Sequence, residues 1–236
     1  MDKEDIYARL NEAYFSDDCH EKALLDNLPR LIRDARLFVD VGASLGQYTL
    51  AASRAMRGGR IIAVEADPVR HEELERNCLR WSQDSACDLR AIHGAISDSA
   101  GEVVFYTTHS NVSGGLFPHE TVADGVQWDP LHVPAFTLDE VCAEAIPDFV
   151  KADVEGAEYR LLQGASRILA AGRTVFLLEL HGWDDPANPR EDVRGFMRQR
   201  GFWPVAFYDH TLFMPPGLAY LREKLAAGAR RYLGRA

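Results

Sequence analysis

Short apolar runs alternate with helical stripes along most of the chain. Leu37-Phe38-Val39-Asp40-Val41, Ile61-Ile62-Ala63-Val64-Glu65, Leu89 to Ile96, Phe149-Val150-Lys151-Ala152-Asp153 and Thr174 to Leu180 each read as a strand covered on both faces. Between them, Leu24, Leu25, Leu28, Leu31 and Ile32 share one helical face, which predicts a helix packed on the sheet edge. His71, Leu74, Cys78 and Trp81 form a second stripe, read as core packing, and Leu161, Leu162, Ala165, Ile168 and Leu169 a third, ending near Gly172. Asp67-Pro68 predicts a helix start, because aspartate caps free backbone N–H groups and proline needs no donor at the first helical position. A helix reaching Arg200 stops at Gly201, and strands near Phe202–Phe207 and Thr211–Met214 pair with each other. The alternation predicts a doubly wound, Rossmann-like α/β fold with a mainly parallel sheet and a C-terminal antiparallel hairpin.

Three stretches break the rhythm. Glu102 to Thr107 alternates weakly, as an edge or hairpin strand would. Thr108 to Pro134 is polar and turn-rich, without periodicity, and reads as a substrate lid or a disordered surface loop. Its His109, Asn111, His119, Trp128 and His132 would suit contact with a sugar or polyol. Near the end, Leu218, Leu221, Leu225 and Tyr232 make an apolar stripe among Arg222, Lys224, Arg230, Arg231 and Arg235, which predicts a basic amphipathic helix. It would dock on its own domain or join a homo-oligomer, or else lie on a membrane surface. The resulting divisions are an N-terminal helical extension at 1–34, one large domain at 35–215 containing the candidate lid at 108–134, and the C-terminal helix at 216–236.

Composition narrows the function. A net charge of −10 offers no basic face for a nucleic-acid backbone, so no nucleic-acid partner is expected. No apolar run approaches the roughly 18 residues of a membrane span, and the opening Met1-Asp2-Lys3-Glu4-Asp5 is too acidic for a targeting peptide, so a cytoplasmic protein is expected. Cys19, Cys78, Cys87 and Cys142 lack metal or redox spacing and read as reduced, buried thiols.

Ligands of doubly wound sheets bind outside the carboxyl ends of the strands, where strand order reverses. Asp40, Glu65 and Asp153 stand at or near three such ends. Gly42 and Gly46 allow a sharp turn and close backbone approach, and Glu65, 19 residues beyond Gly46, suits a carboxylate gripping both ribose hydroxyls of an adenosine. A dinucleotide fingerprint needs Gly-x-Gly-x-x-Gly, but Ser44 and Gln47 occupy its second and third glycine places. Asp40 would repel a pyrophosphate yet receive the amino group of a methionine. S-adenosyl-L-methionine therefore fits better than a nicotinamide dinucleotide. The competing readings are a nicotinamide-dependent oxidoreductase and a non-catalytic binding protein of similar fold, and one in which Asp40 and Glu65 merely cap loops.

Three segments resemble the FkbM-type methyltransferases: Phe38 to Thr49, with its Asp40-Val41-Gly42-Ala43-Ser44-Leu45-Gly46 core; Ala63-Val64-Glu65-Ala66-Asp67-Pro68; and Val150-Lys151-Ala152-Asp153-Val154-Glu155-Gly156-Ala157-Glu158. Thr137-Leu138-Asp139 matches as well, and the likeness extends over roughly residues 35–215. The Lys-x-Asp-x-Glu-Gly-x-Glu string is the specific part, and Ser44 departs from the family's usual asparagine. The resemblance implies the seven-stranded class I methyltransferase fold. It places S-adenosyl-L-methionine across Asp40, Gly42, Ala43, Ser44, Gly46 and Tyr48, with its ribose on Glu65. The adenine would lie near Ala66, Asp67, Ala95 and Ile96, and Asp153 at the methionine end. It also implies O-methylation of a hydroxyl on a sugar, glycan or polyketide-like metabolite.

Methyl transfer to a hydroxyl needs an aligned oxygen and a base. Asp153 and Glu155 are candidate catalytic carboxylates, and Lys151 would hold a carboxylate ionised or orient the acceptor. Charge at a helix N-terminus is the plainer explanation for Glu155 and Glu158, and the favoured one for Glu158. His181, titrating near neutrality, is a second candidate base. Alternatively Mg2+ or Mn2+, held by Asp153, Asp184 and Asp185, would acidify the hydroxyl, as in related O-methyltransferases, although Asp184-Asp185-Pro186 is equally a polar turn.

Overall fold

A computed structural model of the chain describes residues 15, 21–108, 114–116, 128–181 and 190–218. The chain passes through α1 (Lys22–Ile32), β1 (Leu37–Val41), α2 (Gln47–Ala55), β2 (Gly59–Glu65), α3 (Pro68–Trp81) and β3 (Cys87–His93). Next come β4 (Ala95–Ile96), β5 (Gly101–Thr108), β6 (Gly114–Gly115), β7 (Trp128–Phe136), α4 (Leu138–Val141) and β8 (Phe149–Ala152). Then follow α5 (Glu158–Gln163), α6 (Ser166–Ala171), β9 (Val175–Glu179), α7 (Arg190–Gln199), β10 (Trp203–Phe207) and β11 (His210–Met214).

Seven strands form the main sheet in the order β10-β11-β9-β8-β1-β2-β3. The inner pairs are parallel, while β11 runs antiparallel to β9 and to β10, giving the expected C-terminal hairpin. Because the chain steps outward from β1 to β3 and later returns beside β1 as β8, strand order reverses between β1 and β8. Their carboxyl ends therefore flank the crevice where such sheets bind ligands.

Alternating side chains serve the two faces. Phe38, Ile61, Phe149, Leu177 and Leu212 meet Leu24, Leu28, Ile32 and Ala52 of α1 and α2 on one side. Val39, Val41, Val64, Val150, Phe176 and Leu178 meet Leu161, Leu162, Ile168, Val193 and Met197 on the other. Fully burying one such side chain contributes about 1.5–3 kcal/mol. Thus α1 covers a sheet face rather than an edge, and the stripe that builds it narrows to Leu24, Leu28 and Ile32, leaving Leu31 at 42% exposure.

The strand expected over 89–96 divides in two. Gly94, at φ +152°, carries the chain from the main sheet into a second sheet of order β4-β7-β5-β6, and a Cβ there would lie 2.7 Å from the Phe136 ring. In the stretch expected to be an unstructured lid, 128–134 instead belongs to β7, paired antiparallel along all of β5. Pairing overrides the poor alternation of Trp128 to Pro134, since Pro130 and Pro134 both lie on β7 opposite Tyr106 and Glu102 of β5 in an unbroken register. Residues 109–113 and 117–127, with His109, Asn111 and His119, lie outside the described residues; His132 sits on β7, its Nδ1 2.7 Å from Glu102 Oε1. The helix read over 161–169 is two short ones, α5 and α6, ending at Gly172 with φ +62°. Asp67 caps α3 as expected, accepting from Val69 and Arg70 N–H. Cys78, Cys87 and Cys142 are free and buried. Among the described residues no helix is long and apolar enough to cross a membrane. The expected C-terminal helix at 216–236 lies outside the described residues beyond Leu218.

Candidate active site

At the carboxyl ends of β1, β2 and β8 opens a cavity of about 840 Å³, partly continuous with solvent. Its first wall is backbone. Gly42 and Ala43 both donate N–H to the Val64 carbonyl at 3.0 Å, locking the loop after β1 to β2. Gly42 has φ +70°, and a Cβ there would stand 1.8 Å from the Asp153 carbonyl oxygen, so only glycine lets β1 and β8 close together. Ser44 also turns left-handed, at φ +50°, and aims its N–H at Glu65 Oε2, 2.7 Å away. Asp67 N–H donates to Glu65 Oε1 at 2.8 Å. Both oxygens of Glu65 are thus fixed in direction, and each keeps a second lone pair for a ligand. Burial pushes the Glu65 carboxyl up, against the charge of Arg70 and the two N–H groups.

The opposite wall is built from charged side chains on β8 and the turn after it, with the end of β9 and His181 behind. Lys151 is buried, with Nζ 3.9 Å from Asp153 Oδ2 and 4.3 Å from the Tyr48 ring centre. Burial opposes its charge, but Asp153, Asp40, Glu21 and Glu179 outweigh it and hold the ammonium above its usual range. After β8 the chain turns through Glu155 at φ +48° and Gly156 at φ +98°. A non-glycine residue in that region is strained by about 1–3 kcal/mol, which marks a functional turn when the surroundings enforce it. Here it presents Glu155 to the cavity.

His181 gathers the carboxylates. Its Nδ1 lies 2.9 Å from the buried Glu158, and its Nε2 stands 3.6–3.7 Å from Glu155, Glu179 and Asp153. Burial disfavours its charge, yet the hydrogen bond and charge of Glu158, with Asp153 and Glu155, raise its pKa to about 9. At neutral pH both ring nitrogens therefore carry protons, which removes the proton-accepting role that an unperturbed histidine would offer. Burial and the nearby Asp153 lift Glu155 to about 6 and Glu179 to about 7. Acid–base capacity near neutrality has moved from the imidazole to carboxylates.

Of the residues singled out from sequence, Gly42, Ala43, Ser44, Tyr48, Glu65, Ala66, Ala95, Ile96, Lys151, Asp153 and Glu155 line this one cavity. Asp40, Gly46, Asp67 and His181 do not. Asp40 is fully buried, accepts from Thr49 Oγ1 at 2.7 Å and pairs in register with Lys151. Gly46, at φ +95°, precedes α2, and Asp67 adds Thr107 Oγ1 at 2.9 Å to its capping contacts. Asp184 and Asp185 lie outside the described residues. Glu158 accepts from Gly156 N–H at 3.2 Å as well as facing His181, so it is an anchor for the histidine rather than only a charge at a helix start. Sequence reasoning missed Glu21, Arg70, Phe105 and Leu116, which line the cavity, and Glu179 beside it. Glu179 had a readable signal, since it ends β9 as Glu65 ends β2. Phe105 and Leu116 had none, because the second sheet that carries them to the cavity follows from long-range pairing.

Comparison with known proteins agrees with this geometry. A family model described as the methyltransferase FkbM domain matches residues 40–203. Methyltransferase sdnD of Sordaria araneosa is 26% identical over 220 residues, covering 80% of this chain and 79% of the relative. Among solved structures, an FkbM methyltransferase from Methylobacillus flagellatus KT superposes with a TM-score of 0.51 at 14% identity over 76% of this chain. Only 43% of that longer chain is covered. A methyltransferase from Geobacter sulfurreducens gives 0.50 at 18% identity, over 89% of this chain and 84% of its own. At such identities the two structures speak to the fold alone.

Proposed function

The chain belongs to the FkbM methyltransferase family, and from that premise we propose that it transfers a methyl group from S-adenosyl-L-methionine to a hydroxyl of a sugar, glycan or polyketide-like metabolite. The observation that carries the cofactor is Glu65, whose two oxygens are pre-aimed by the N–H groups of Ser44 and Asp67 beside a loop that only Gly42 can make. This arrangement fits an adenosine ribose. Ala66, Ala95, Ile96, Phe105 and Leu116 supply apolar surface for the adenine, and Lys151 and Asp153 supply opposite charges for the methionine end. When bound, the cofactor supplies an electrophilic methyl group.

The remaining work falls to side chains. Glu155, ionised at neutral pH with a pKa of about 6, takes the proton from the acceptor hydroxyl. His181, as an imidazolium, orients Glu155 and Asp153 and offsets their mutual repulsion. Tyr48 donates to Glu21 at 2.6 Å and fixes that carboxylate at the cavity wall. Gly114 and Leu116 line the cavity, which supports a part for the 108–134 segment in acceptor recognition.

Two measurements test the reading. Calorimetric titration is expected to show binding of S-adenosyl-L-methionine and S-adenosylhomocysteine but not NAD; binding of NAD alone overturns the cofactor. Labelled-methyl transfer against glycans, polyketides, amines and thiols is expected to mark hydroxyl acceptors, and exclusive labelling of amines or thiols overturns the acceptor class.

A further inference from the structure

Beside the cavity, on the side of α1, the side chains of Glu21, Glu179 and His210 bring one donor atom each within 4.8 Å of one another. They come from the start of α1, the end of β9 and the start of β11, where His210 and Glu179 are register partners. The His210 side chain has no exposed surface. Its Nδ1 lies 2.8 Å from Asp209, to which the Nδ1–H donates, so Nε2 keeps a lone pair. That Nε2 is buried without a hydrogen-bond partner and stands 3.7 Å from Glu21 Oε1 and 3.7 Å from Glu179 Oε2. Burial, then the charge of Lys151, pushes the pKa of the imidazole down.

Two carboxylates face this buried lone pair, Glu21 by Oε1 and Glu179 by Oε2, and leave a place for a cation among the three donors. Lys151 does not fill that place: the one carboxylate within 4 Å of its ammonium, among the described residues, is Asp153. We propose that Glu21, Glu179 and His210 form a binding site for a single divalent transition-metal ion of the Zn2+ or Mn2+ type, on the α1 side of Glu179, whose other oxygen faces His181.

Imidazole with two carboxylates is a donor set that suits such ions better than Mg2+. Ligands about 2.1 Å from a common ion stand about 3.0–3.4 Å apart at octahedral to tetrahedral angles, so the 3.7 Å spacings close with a shift of a few tenths of an ångström. The supporting contacts are those of a metal centre, in which outer groups orient the ligands. Asp209 fixes the tautomer of His210, and the Tyr48 hydroxyl, donating at 2.6 Å, fixes Glu21. Glu179 also stands with Asp153 and His181 in a second triad of possible ligands, which the His181→Gln arm of the test tells apart. The ion would tie α1 to β9 and β11 and so fix the wall of the cavity that Glu21 lines.

The test is calorimetric titration of the chelator-treated full chain with Zn2+, Mn2+ and Mg2+, with metal content of the reloaded protein measured by mass spectrometry. One equivalent of Zn2+ or Mn2+ per chain is expected, with Mg2+ at least ten-fold weaker. His210→Ala and Glu21→Gln should each weaken binding by 100-fold or more, while His181→Gln, which removes a group 3.6 Å from Glu179, keeps one equivalent per chain. No binding of any of the three ions overturns the proposal, as does binding insensitive to both His210→Ala and Glu21→Gln, or binding lost in His181→Gln. None of these readouts depends on methyl transfer, so a failed cofactor reading and a failed metal site are told apart.

Discussion

The two walls of the cavity are made by different means. The wall at β1 and β2 is backbone: a glycine that admits a carbonyl at otherwise impossible range, and two N–H groups that hold Glu65. The wall at β8 is side chains, Lys151, Asp153 and Glu155, backed by a protonated histidine that Glu155, Glu158, Glu179 and Asp153 surround. A backbone site is rigid and tolerates almost no substitution at its turning point, yet its electrostatics are simple. A side-chain site forgives single changes sterically but couples every member's charge to the others. Binding therefore belongs to the first wall and proton chemistry to the second, and substitutions on the two walls should separate affinity from turnover.

Gly42→Ala is expected to have the largest effect. The added methyl meets the Asp153 carbonyl at 1.8 Å and forces a left-handed alanine, so stability falls by roughly 3 kcal/mol or more and cofactor binding is lost. Thermal unfolding with and without S-adenosylhomocysteine measures both; an unchanged ligand-induced shift would show that the backbone wall is not the binding wall. Next comes Glu155→Gln. Removal of a general base should lower kcat by about 10²- to 10⁴-fold while the KM for the cofactor stays put. The rising limb of the pH–rate profile near pH 6, where Glu155 ionises, should vanish with it. A rising limb that survives would move the base to Glu179, whose pKa is about 7. Glu65→Gln is the counterpart on the other wall. Loss of charge-assisted hydrogen bonds worth about 1.5–3 kcal/mol should weaken cofactor binding about 10- to 150-fold, with kcat at saturation little changed.

The same contrast explains what could be read from sequence. The backbone wall is local: Asp40 to Gly46 and Glu65 to Pro68 are contiguous strings whose spacing carries the chemistry, and the strands before them are plain apolar runs. The parallel order of the sheet followed from strands alternating with helices. The charged wall is assembled from residues far apart, with Glu21 in the N-terminal helix, Glu158 after β8 and Glu179 and His210 on the last strands. Of these, Glu158 reads as an ordinary helix-start charge, and no local spacing singles out Glu21 or His210. No local spacing reports that His181 will meet four carboxylates, so its neutral-pH titration was inferred from an unperturbed histidine that the folded protein does not contain. The second sheet was equally hidden, because β7 holds to β5 by backbone pairing rather than by alternation.

The smallest expected effect probes that coupling directly. His181 titrates at about 9 in the folded chain, above its usual 6.5, because Glu158, Asp153 and Glu155 favour the charged ring more strongly than burial opposes it. A raised pKa means that the folded state holds the proton more tightly than the unfolded state. The stabilisation is thus complete below about pH 6.5 and is lost as pH rises through about 9. Asp153 and Glu155 remain 29% and 30% exposed, so water screens part of the attraction and about 1–2 kcal/mol is a realistic amplitude. His181→Gln keeps a donor for Glu158 but no titrating charge. Urea unfolding of both proteins from pH 6 to pH 9.5 should show the wild type more stable at pH 6 and the gap closing toward pH 9.5. A constant gap across that range would mean that the carboxylates are gathered around a neutral ring, and the assignment of proton chemistry to Glu155 would lose its electrostatic basis.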